Sequence, residues 1–165
     1  TLIGKFEMAE EHQVKTAFTL SDPAMVQFFG DGLREMIGEN RVDLLFCNRD
    51  EAFSFTHTDS IDQALVALKD YAKACVITLG DKGAIVFDGV SFIRIEARNT
   101  TAIDTNGAGD MFAGAFLFAL SHGYDYQQAG DLASAAAAQV VSQFGPRLRP
   151  EQHQAIFDQV LAQPA

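Results

Sequence analysis

Short apolar or β-prone runs alternate along the chain with longer segments in which apolar residues recur every three or four positions. The runs at 15–20, 42–47 and 75–79 predict strands, and the longer segments between them predict helices. This strand, helix, strand order is typical of a parallel sheet with helices packed on its faces and right-handed connections. The pattern alone therefore predicts an α/β fold.

Capping residues and glycines indicate where the predicted helices begin and end. Ser21, Asp22 and Pro23 form a cap followed by a proline in the first turn, which predicts a helix from here to about Ile37, ended by Gly38. The apolar residues of this helix at helical spacing are Met25, Val26, Phe28, Phe29, Leu33, Met36 and Ile37.

Turn residues divide the second half of the chain. The segment 80–83 interrupts it, and Asp88-Gly89 then predicts a hairpin that joins antiparallel strands at 84–87 and 91–95. The segment from Met111 to Leu120 has apolar residues on all sides, so it is predicted to be a helix buried in the middle of the domain. Two further helices are predicted at 125–141 and 151–161.

The loop before this apolar helix reads D-T-N-G-A-G-D, from Asp104 to Asp110. Gly107 and Gly109 have no Cβ, so both are expected to allow positive φ and a close approach of a ligand. The first amides of a helix have no partners within it and lie at the positive end of its dipole, which makes the junction an anion site. A carboxylate beside a bound anion is repelled by it unless a cation or a role in proton transfer compensates. Asp110 is therefore predicted to be a base.

Composition narrows the classes of partner. The net charge of −10 would repel a polynucleotide, so no nucleic-acid partner is expected. The longest apolar run is about half of the roughly 20 residues that a membrane span needs, so no membrane insertion is expected. Cys47 and Cys75 lie in or beside strand-like runs, which favours buried thiols in a reducing compartment and predicts a cytoplasmic location.

Three motifs resemble the ribokinase-like family of carbohydrate and nucleoside kinases, also called the PfkB family. Asp104 to Asp110 resembles its C-terminal signature D-T-x-G-A-G-D, Asn48 to Glu51 resembles its N-x-x-E motif, and Thr78 to Gly83 resembles its T-L-G-x-x-G nucleotide segment. The motifs come in the family's order. The resemblance implies a three-layer α/β/α fold with a mostly parallel central sheet and an antiparallel hairpin.

The resemblance covers nearly the whole chain but only the C-terminal half of a family member. The N-terminal half, which in the family supplies the substrate-binding lid and most sugar contacts, is expected to be missing. Residues 1–165 are accordingly expected to form a single domain that carries the nucleotide-binding and catalytic-base part of such a kinase.

The resemblance also implies a function and a set of site residues. The function is transfer of the γ-phosphate of ATP to an alcohol group of a small-molecule sugar or nucleoside, with a weak preference for the adenosine kinase-like branch. Asp110 would be the base, and the amides of Gly107, Ala108 and Gly109 would form an anion hole. Nucleotide contacts are implied for Asn48, Glu51, Thr78, Gly80, Lys82, Gly83, Gly109 and Ser134. Mg²⁺ would be held near Glu51 through water, and a monovalent cation, with K⁺ as the candidate, at the Asp104 side chain and the Gly145 backbone.

Simpler interpretations of the same residues stay open. Asn48 and Glu51 also form the pattern of a capping box, and Gly80 to Gly83 is also a generic turn. The chain could instead be a nucleotide-binding fragment without catalysis, or a half-domain that assembles with a second copy as a homodimer. ATP affinity without turnover would indicate the fragment, and a concentration-dependent mass without ATP affinity would indicate the half-domain.

Overall fold

A computed structural model describes residues 8–9, 11–21 and 23–161 of the chain. Five strands of this part form one sheet in chain order: β1 (Ala17–Thr19), β2 (Val42–Asn48), β3 (Ala72–Thr78), β4 (Ala84–Phe87) and β5 (Phe92–Ile95). The α-helices are α1 (Pro23–Asn40), α2 (Arg49–Thr56), α3 (Ile61–Leu68), α4 (Ala108–Ser121), α5 (Tyr126–Val141) and α6 (Pro150–Val160). The predicted α/β class is confirmed.

The first three strands are parallel, as the order of elements predicted. Leu45 of β2 lies opposite Phe18 of β1 and opposite Cys75 of β3. β2 and β3 each contain four consecutive buried residues, which is typical of strands covered on both faces. Asn48 and Thr78 are partners at the carboxyl ends of these strands, the edge at which α/β sheets bind ligands.

The last two strands make the sheet a mixed one, with both parallel and antiparallel pairs. The connections 79–83 and 88–91 are too short for a parallel crossover, so β4 runs antiparallel to both of its neighbours. The hairpin turn forms at the predicted place, where the Asp88 amide donates to the Ser91 carbonyl at 3.2 Å. The Asp88 carboxylate accepts from the amides of Val90 and Ser91 at 2.8 and 2.7 Å, and Gly89 has a φ of 100°.

The chain divides into two compact units. The first contains residues 1–78 and 86–92, and the second contains 79–85 and 93–165. Large fully buried side chains in the first include Phe55, Leu45 and Val76, while Phe116 and Val140 are fully buried in the second. No helix among the described segments has the length and apolar character required to cross a membrane.

Three predicted boundaries were wrong by three residues each: the end of α1, the start of β3, and the start of α4, which begins at Ala108 and not at Met111. α1 continues through Gly38 to Asn40, and the chain leaves the helical conformation at Arg41, which has a φ of 31°. The guanidinium of Arg41 donates to the carbonyls of Lys69 and Ala72 at 2.8 and 3.2 Å, so a tertiary contact rather than a glycine sets the end of α1. β3 begins at Ala72 and not at Cys75, because Ala72 pairs with Val42 of β2. The cap predicted for Asp22 lies outside the described residues, although α1 begins at Pro23 as predicted.

The apolar helix α4 is not buried on all sides, so that prediction was wrong. Phe112, Phe116 and Ala119 are buried, but Leu117 and Phe118 are 38% and 45% exposed. The apolar spacing of α4 indicates what the helix is able to bury, while its exposure depends on which other elements pack against it.

Candidate functional site

The start of α4 differs from the starts of other helices in the chain. α2, α3 and α5 each begin with a polar side chain that accepts a hydrogen bond from a backbone amide. The N-cap of α4 is Gly107, which has no side chain to accept such a bond. The amides of Gly109 and Asp110 lie in its first turn, where the helix itself provides no acceptor. Such amides, together with the helix dipole, are the groups with which helix starts bind anions.

The two glycines of this motif differ in backbone conformation and in surroundings. Gly107 has a φ of 79°, and a Cβ added there would lie 2.5 Å from the Pro146 Cβ and 3.0 Å from its Cα. Gly109 is helical, and a Cβ added there would meet nothing within 4 Å. The expectation of positive φ is confirmed for Gly107 and wrong for Gly109. The missing side chain of Gly109 instead leaves open space beside the first turn of α4.

Asp104 holds the loop in place. Its Oδ1 accepts from the Asn106 amide at 3.0 Å, and its Oδ2 accepts from the Gly145 amide at 3.1 Å. These two bonds, with that from Asn106 the larger, hold the pKa of the Asp104 carboxyl below its usual value. The amides of Ile103 and Asp104 both donate to the Val141 carbonyl at the end of α5, at 2.7 and 3.2 Å. The loop is thereby fixed to the segment 141–145.

Asp110 is exposed at the third position of α4, and no residue in the described part of the chain donates a hydrogen bond to its carboxylate. It borders a cavity of about 890 Å³ that is lined by α4, α5, α6 and the loop at Pro146 and Arg147. The walls are mostly apolar, with His153 and Gln154 among the polar residues. The carboxylate of Asp110 is therefore available to a ligand.

Asn48 and Glu51 form the capping box that was one of the two interpretations of their motif. The Glu51 amide donates to Asn48 Oδ1 at 2.9 Å, and the Asn48 amide donates to Glu51 Oε2 at 2.9 Å. Asn48 Nδ2 also donates to Glu51 Oε1 at 2.7 Å, and Glu51 is only 5% exposed. Both carboxylate oxygens thus have a partner in Asn48, and a metal would have to use their remaining lone pairs.

The described residues contain no group of three or more His, Cys, Asp or Glu side chains that could hold a metal ion. A Mg²⁺ ion commonly keeps several waters and binds through one or two carboxylates and the phosphates of its substrate. Glu51 fits that mode, in which the protein contributes one carboxylate.

Thr78 lies beside Asn48 as its partner in the sheet, and its hydroxyl donates to the Cys47 carbonyl at 3.5 Å. The structure thus brings three predicted residues of the first unit, Asn48, Glu51 and Thr78, to the carboxyl ends of β2 and β3. Their polar groups bond mainly to one another and to the backbone of β2.

In the second unit, Gly80 and Lys82 lie in a short 3₁₀ turn that the Leu79 amide closes by donating to the Gly83 carbonyl at 2.8 Å. A Cβ at Gly83, where φ is 84°, would overlap the Ile95 carbonyl oxygen. A Cβ at Gly80, where φ is 63°, would meet nothing within 4 Å. Gly83 therefore allows close packing against β5, whereas Gly80 and the exposed Lys82 are accessible.

Ser134 lies on α5 and is 6% exposed, with its hydroxyl donating to the Glu96 carbonyl at 2.8 Å. That bond joins α5 to the segment after β5. The nucleotide contact predicted for Ser134 stays a prediction, and its hydroxyl would have to exchange this bond for one to the ligand.

Pro146 is a site residue that the sequence pattern missed. It packs against Gly107 and borders the same cavity as Asp110. No local pattern indicates this contact, because it joins two loops that are far apart in the sequence.

The first unit thus has polar residues at the carboxyl ends of parallel strands, and the second has a glycine-led helix start beside an exposed carboxylate. Each of these features is one that phosphate-binding proteins use. The profile of the pfkB family carbohydrate kinases matches residues 5–153, and the chain belongs to this family. The family resemblance is thereby confirmed, and the similarity to solved structures of such kinases confirms the ribokinase-like fold.

Relatives and solved structures agree with this assignment. A cytidine kinase of Thermococcus kodakarensis is 34% identical over 118 residues, which are 70% of this chain and 42% of that protein. A probable sugar kinase from Rhizobium etli matches with a TM-score of 0.89 and 30% identity, over 95% of this chain and 48% of that one. An adenosine kinase from Sinorhizobium meliloti matches with a TM-score of 0.87 and 32% identity, over 93% and 47%. The chain spans about half the length of these proteins.

Proposed function

We propose that the protein is an ATP-dependent phosphotransferase whose acceptor is an alcohol group of a nucleoside or a sugar. The observation that carries this proposal is the start of α4, where uncapped backbone amides stand beside the exposed carboxylate of Asp110. Family membership supports a kinase. The similarity to a cytidine kinase and an adenosine kinase favours a nucleoside acceptor, and the similarity to a probable sugar kinase keeps a sugar as the second candidate.

In this proposal, the acceptor oxygen forms a bond to the γ-phosphorus while the bond from that phosphorus to the β,γ-bridging oxygen of ATP breaks. Asp110 accepts the proton of the attacking hydroxyl, and such a base contributes typically about 10²–10⁴ in rate. The transition state is loose, so an ordinary aspartate is basic enough. The amides of Gly107, Ala108 and Gly109 donate to the transferring phosphate, and the Ala108 amide would have to exchange its bond of 3.3 Å to the Thr105 carbonyl for this one. Each well-placed donor contributes about 3 kcal/mol.

The remaining predicted residues orient the nucleotide and its ions. Mg²⁺, when bound, neutralises charge that develops on the β- and γ-phosphates. Glu51 would hold it through water, since its carboxylate oxygens already accept from Asn48. Gly80, Lys82 and Gly83 would contact the nucleotide from the 3₁₀ turn. Asp104 and Gly145, which are already joined by a hydrogen bond, would hold a monovalent cation such as K⁺ beside the loop that precedes α4.

The 165-residue chain is expected to bind ATP but to transfer phosphate slowly or not at all. The family resemblance assigns the lid and most acceptor contacts to a half that the matched region does not include. Without an acceptor held in place, the reaction forfeits much of the roughly 7–11 kcal/mol that positioning can contribute.

The test compares the 165-residue chain with a protein extended to the length of its relatives. ATP affinity is measured by calorimetry, and phosphorylation is measured on a panel of adenosine, cytidine, ribose and fructose. The proposal expects ATP binding by both proteins and turnover by the extended one. Absence of ATP binding in both would refute it, and rapid turnover by the chain alone would show that the acceptor site lies within these residues.

A further inference from the structure

The segment between α5 and α6, residues 142–149, lies against the start of α4. This segment belongs to neither a helix nor a strand. Its Gly145 amide donates to Asp104 Oδ2 at 3.1 Å, and its Pro146 is so close to Gly107 that a Cβ added to the glycine would lie 2.5 Å from the Pro146 Cβ. The position of this segment therefore limits where Gly107, and with it the first turn of α4, can lie.

The side chain of Gln143 closes the segment into a turn. Its Nε2 donates to the Arg147 carbonyl at 3.0 Å, so the bond spans Gly145 and Pro146. Its Oε1 accepts from Gln152 Nε2 at 2.9 Å, in the first turn of α6. The oxygen and the nitrogen of the Gln143 amide are thus both bonded, one to a helix and the other to the turn.

Gln152 is itself held in one orientation. Its Oε1 accepts from the Arg149 amide at 2.9 Å, at the start of α6. An amide side chain that accepts through its oxygen has its nitrogen left as the donor, and in Gln152 this nitrogen reaches Gln143. The two glutamines are both half-buried, so water competes less for the bond between them. The start of α6 thereby anchors Gln143, and Gln143 anchors the turn.

We propose that Gln143 is a positioning residue for the transferring phosphate, which it does not touch. This role rests on the proposed function, in which the first amides of α4 donate to that phosphate. Gln143 closes the turn 143–147, the turn places Pro146 against Gly107, and Gly107 sets the direction of those amides. A misplacement of about 1 Å caused by a change far from the chemistry can cost about 100-fold in rate.

Asp104 also holds this turn, and this limits the expected effect. When Gln143 is replaced, the bond from the Gly145 amide to Asp104 still joins the turn to the loop before α4. The net contribution of a single hydrogen bond corresponds to about two- to tenfold in an equilibrium constant. Loss of Gln143 should therefore weaken the site and not abolish it.

The variant Gln143→Met tests this role, because methionine has about the length of glutamine but forms neither bond. In the 165-residue chain, calorimetry should show that ATP binds about fivefold or more weakly, while ADP binds within about twofold of its original affinity. ADP lacks the phosphate that these amides would hold. In the protein extended to the length of its relatives, kcat should fall by a similar factor and the KM of the acceptor should stay unchanged. A purely structural role would lower the melting temperature without this selectivity for ATP over ADP.

Gln139→Met is the matched control. Gln139 lies one turn earlier on α5, and its Nε2 donates to the Ser142 hydroxyl at 3.3 Å, so this bond does not reach the turn 143–147. The variant loses the same kind of amide group from the same end of α5. It should leave the affinities for ATP and ADP unchanged.

Gln152→Met removes the anchor of Gln143 from the side of α6. It should weaken ATP binding in the original chain, but it should add little in the Gln143→Met background, because the two residues act through one chain of hydrogen bonds. Independent, additive losses would contradict this coupling.

Three results would overturn the positioning role while the proposed function stands. They are unchanged ATP affinity in Gln143→Met, equal weakening of ATP and ADP, and an equal loss in the Gln139→Met control. If neither the original chain nor the extended protein binds ATP, the proposed function fails and the role of Gln143 fails with it.

Discussion

Two helices in this chain have a carboxylate at their third position, but the two carboxylates differ in exposure and hydrogen bonding. α2 has Asn48 at its N-cap and Glu51 at its third position, and α4 has Gly107 at its N-cap and Asp110 at its third position. In α2 the carboxylate turns back to the cap and is 5% exposed. In α4 the carboxylate is exposed and accepts no hydrogen bond from the described residues.

The conformation of the cap residue accounts for the difference. Asn48 is extended, with φ −90° and ψ 175°, and its side chain accepts from the Glu51 amide. Gly107 is left-handed, with φ 79° and ψ 2°, and has no side chain to offer. A polar cap satisfies the first amides of its own helix, whereas a left-handed glycine leaves them to a ligand. A carboxylate in the first turn of a helix is therefore open to a ligand only when the cap residue does not bind it.

The largest effect that this comparison predicts is on catalysis. In a protein extended to the length of the relatives, Asp110→Asn should lower kcat about 10²–10⁴-fold and leave ATP affinity largely unchanged, because the base is lost while the shape and the amides stay. Steady-state kinetics and calorimetry measure the two quantities. The control is Asp62→Asn, which removes an exposed carboxylate from the first turn of α3 and should alter neither. Full turnover in Asp110→Asn would exclude this residue as the base.

The two glycines at the start of α4 should respond in opposite ways to the same small change. Gly107→Ala should lower the free energy of unfolding by about 2–4 kcal/mol, because a left-handed alanine is strained and its methyl group would collide with Pro146. Gly109→Ala should raise it by up to about 1 kcal/mol, since alanine favours the helix and meets no neighbour.

Gly109→Ala should at the same time weaken ATP binding about tenfold or more, because the methyl group would stand where the phosphate approaches. Urea denaturation and calorimetry on the two variants separate stability from affinity. Unchanged ATP affinity in Gly109→Ala would count against the start of α4 as the anion site.

Glu51, at the start of α2, can be tested for two separate roles, which are capping of the helix and binding of Mg²⁺ through water. Glutamine also serves at the third position of a capping box, but here its amide nitrogen would face a donor, because both Glu51 carboxylate oxygens accept from Asn48. Glu51→Gln should therefore lower the free energy of unfolding by about 1 kcal/mol, and Glu51→Ala by about 2 kcal/mol. If Glu51 also holds Mg²⁺ through water, the Mg²⁺ concentration needed for half-maximal activity of the extended protein should rise about 10–100-fold in Glu51→Gln. An unchanged Mg²⁺ requirement in a folded Glu51→Gln protein would leave the motif as a cap alone.

The sequence predicted those parts of the fold and the site that depend on local pattern. The alternation of strands and helices, the hairpin at Asp88 and the left-handed Gly107 follow from apolar spacing and turn chemistry, and the structure has them. The capping box of Asn48 and Glu51 was also visible as a spacing of three residues.

The remaining features depend on contacts between distant segments. Ser134 bonds to Glu96, and Gly107 packs on Pro146, and neither pair is marked by any local pattern. Gly109 was expected to allow positive φ because it has no Cβ and lies in the glycine-rich motif, but α4 begins one residue before it. The exposure of Phe28 was also not predictable, because apolar spacing does not show whether another part of the protein covers a residue.

The smallest predicted effect is the pH dependence of the stability that Asp104 contributes by holding the loop before α4. The amides of Asn106 and Gly145 hold the pKa of Asp104 below its usual value in the folded protein. A lowered folded pKa means that this stabilisation is complete above the unfolded pKa of about 3.9 and is lost as the pH falls through the folded pKa. Asp104→Asn should therefore be less stable than the original chain at pH 7, and the difference should shrink below about pH 3.9 as Asp104 itself becomes protonated.

Urea denaturation of both proteins at pH 7 and at several values below pH 4 measures this difference in the free energy of unfolding. Asp62→Asn serves again as the control, because its carboxylate is exposed in the first turn of α3 and has no such pair of backbone donors. A difference between Asp104→Asn and the original chain that stays constant across the acid range would mean that the shape of the residue, and not its charge, holds the loop. Such a result would also weaken the case for a cation at Asp104, since a cation site there requires the carboxylate to be ionised.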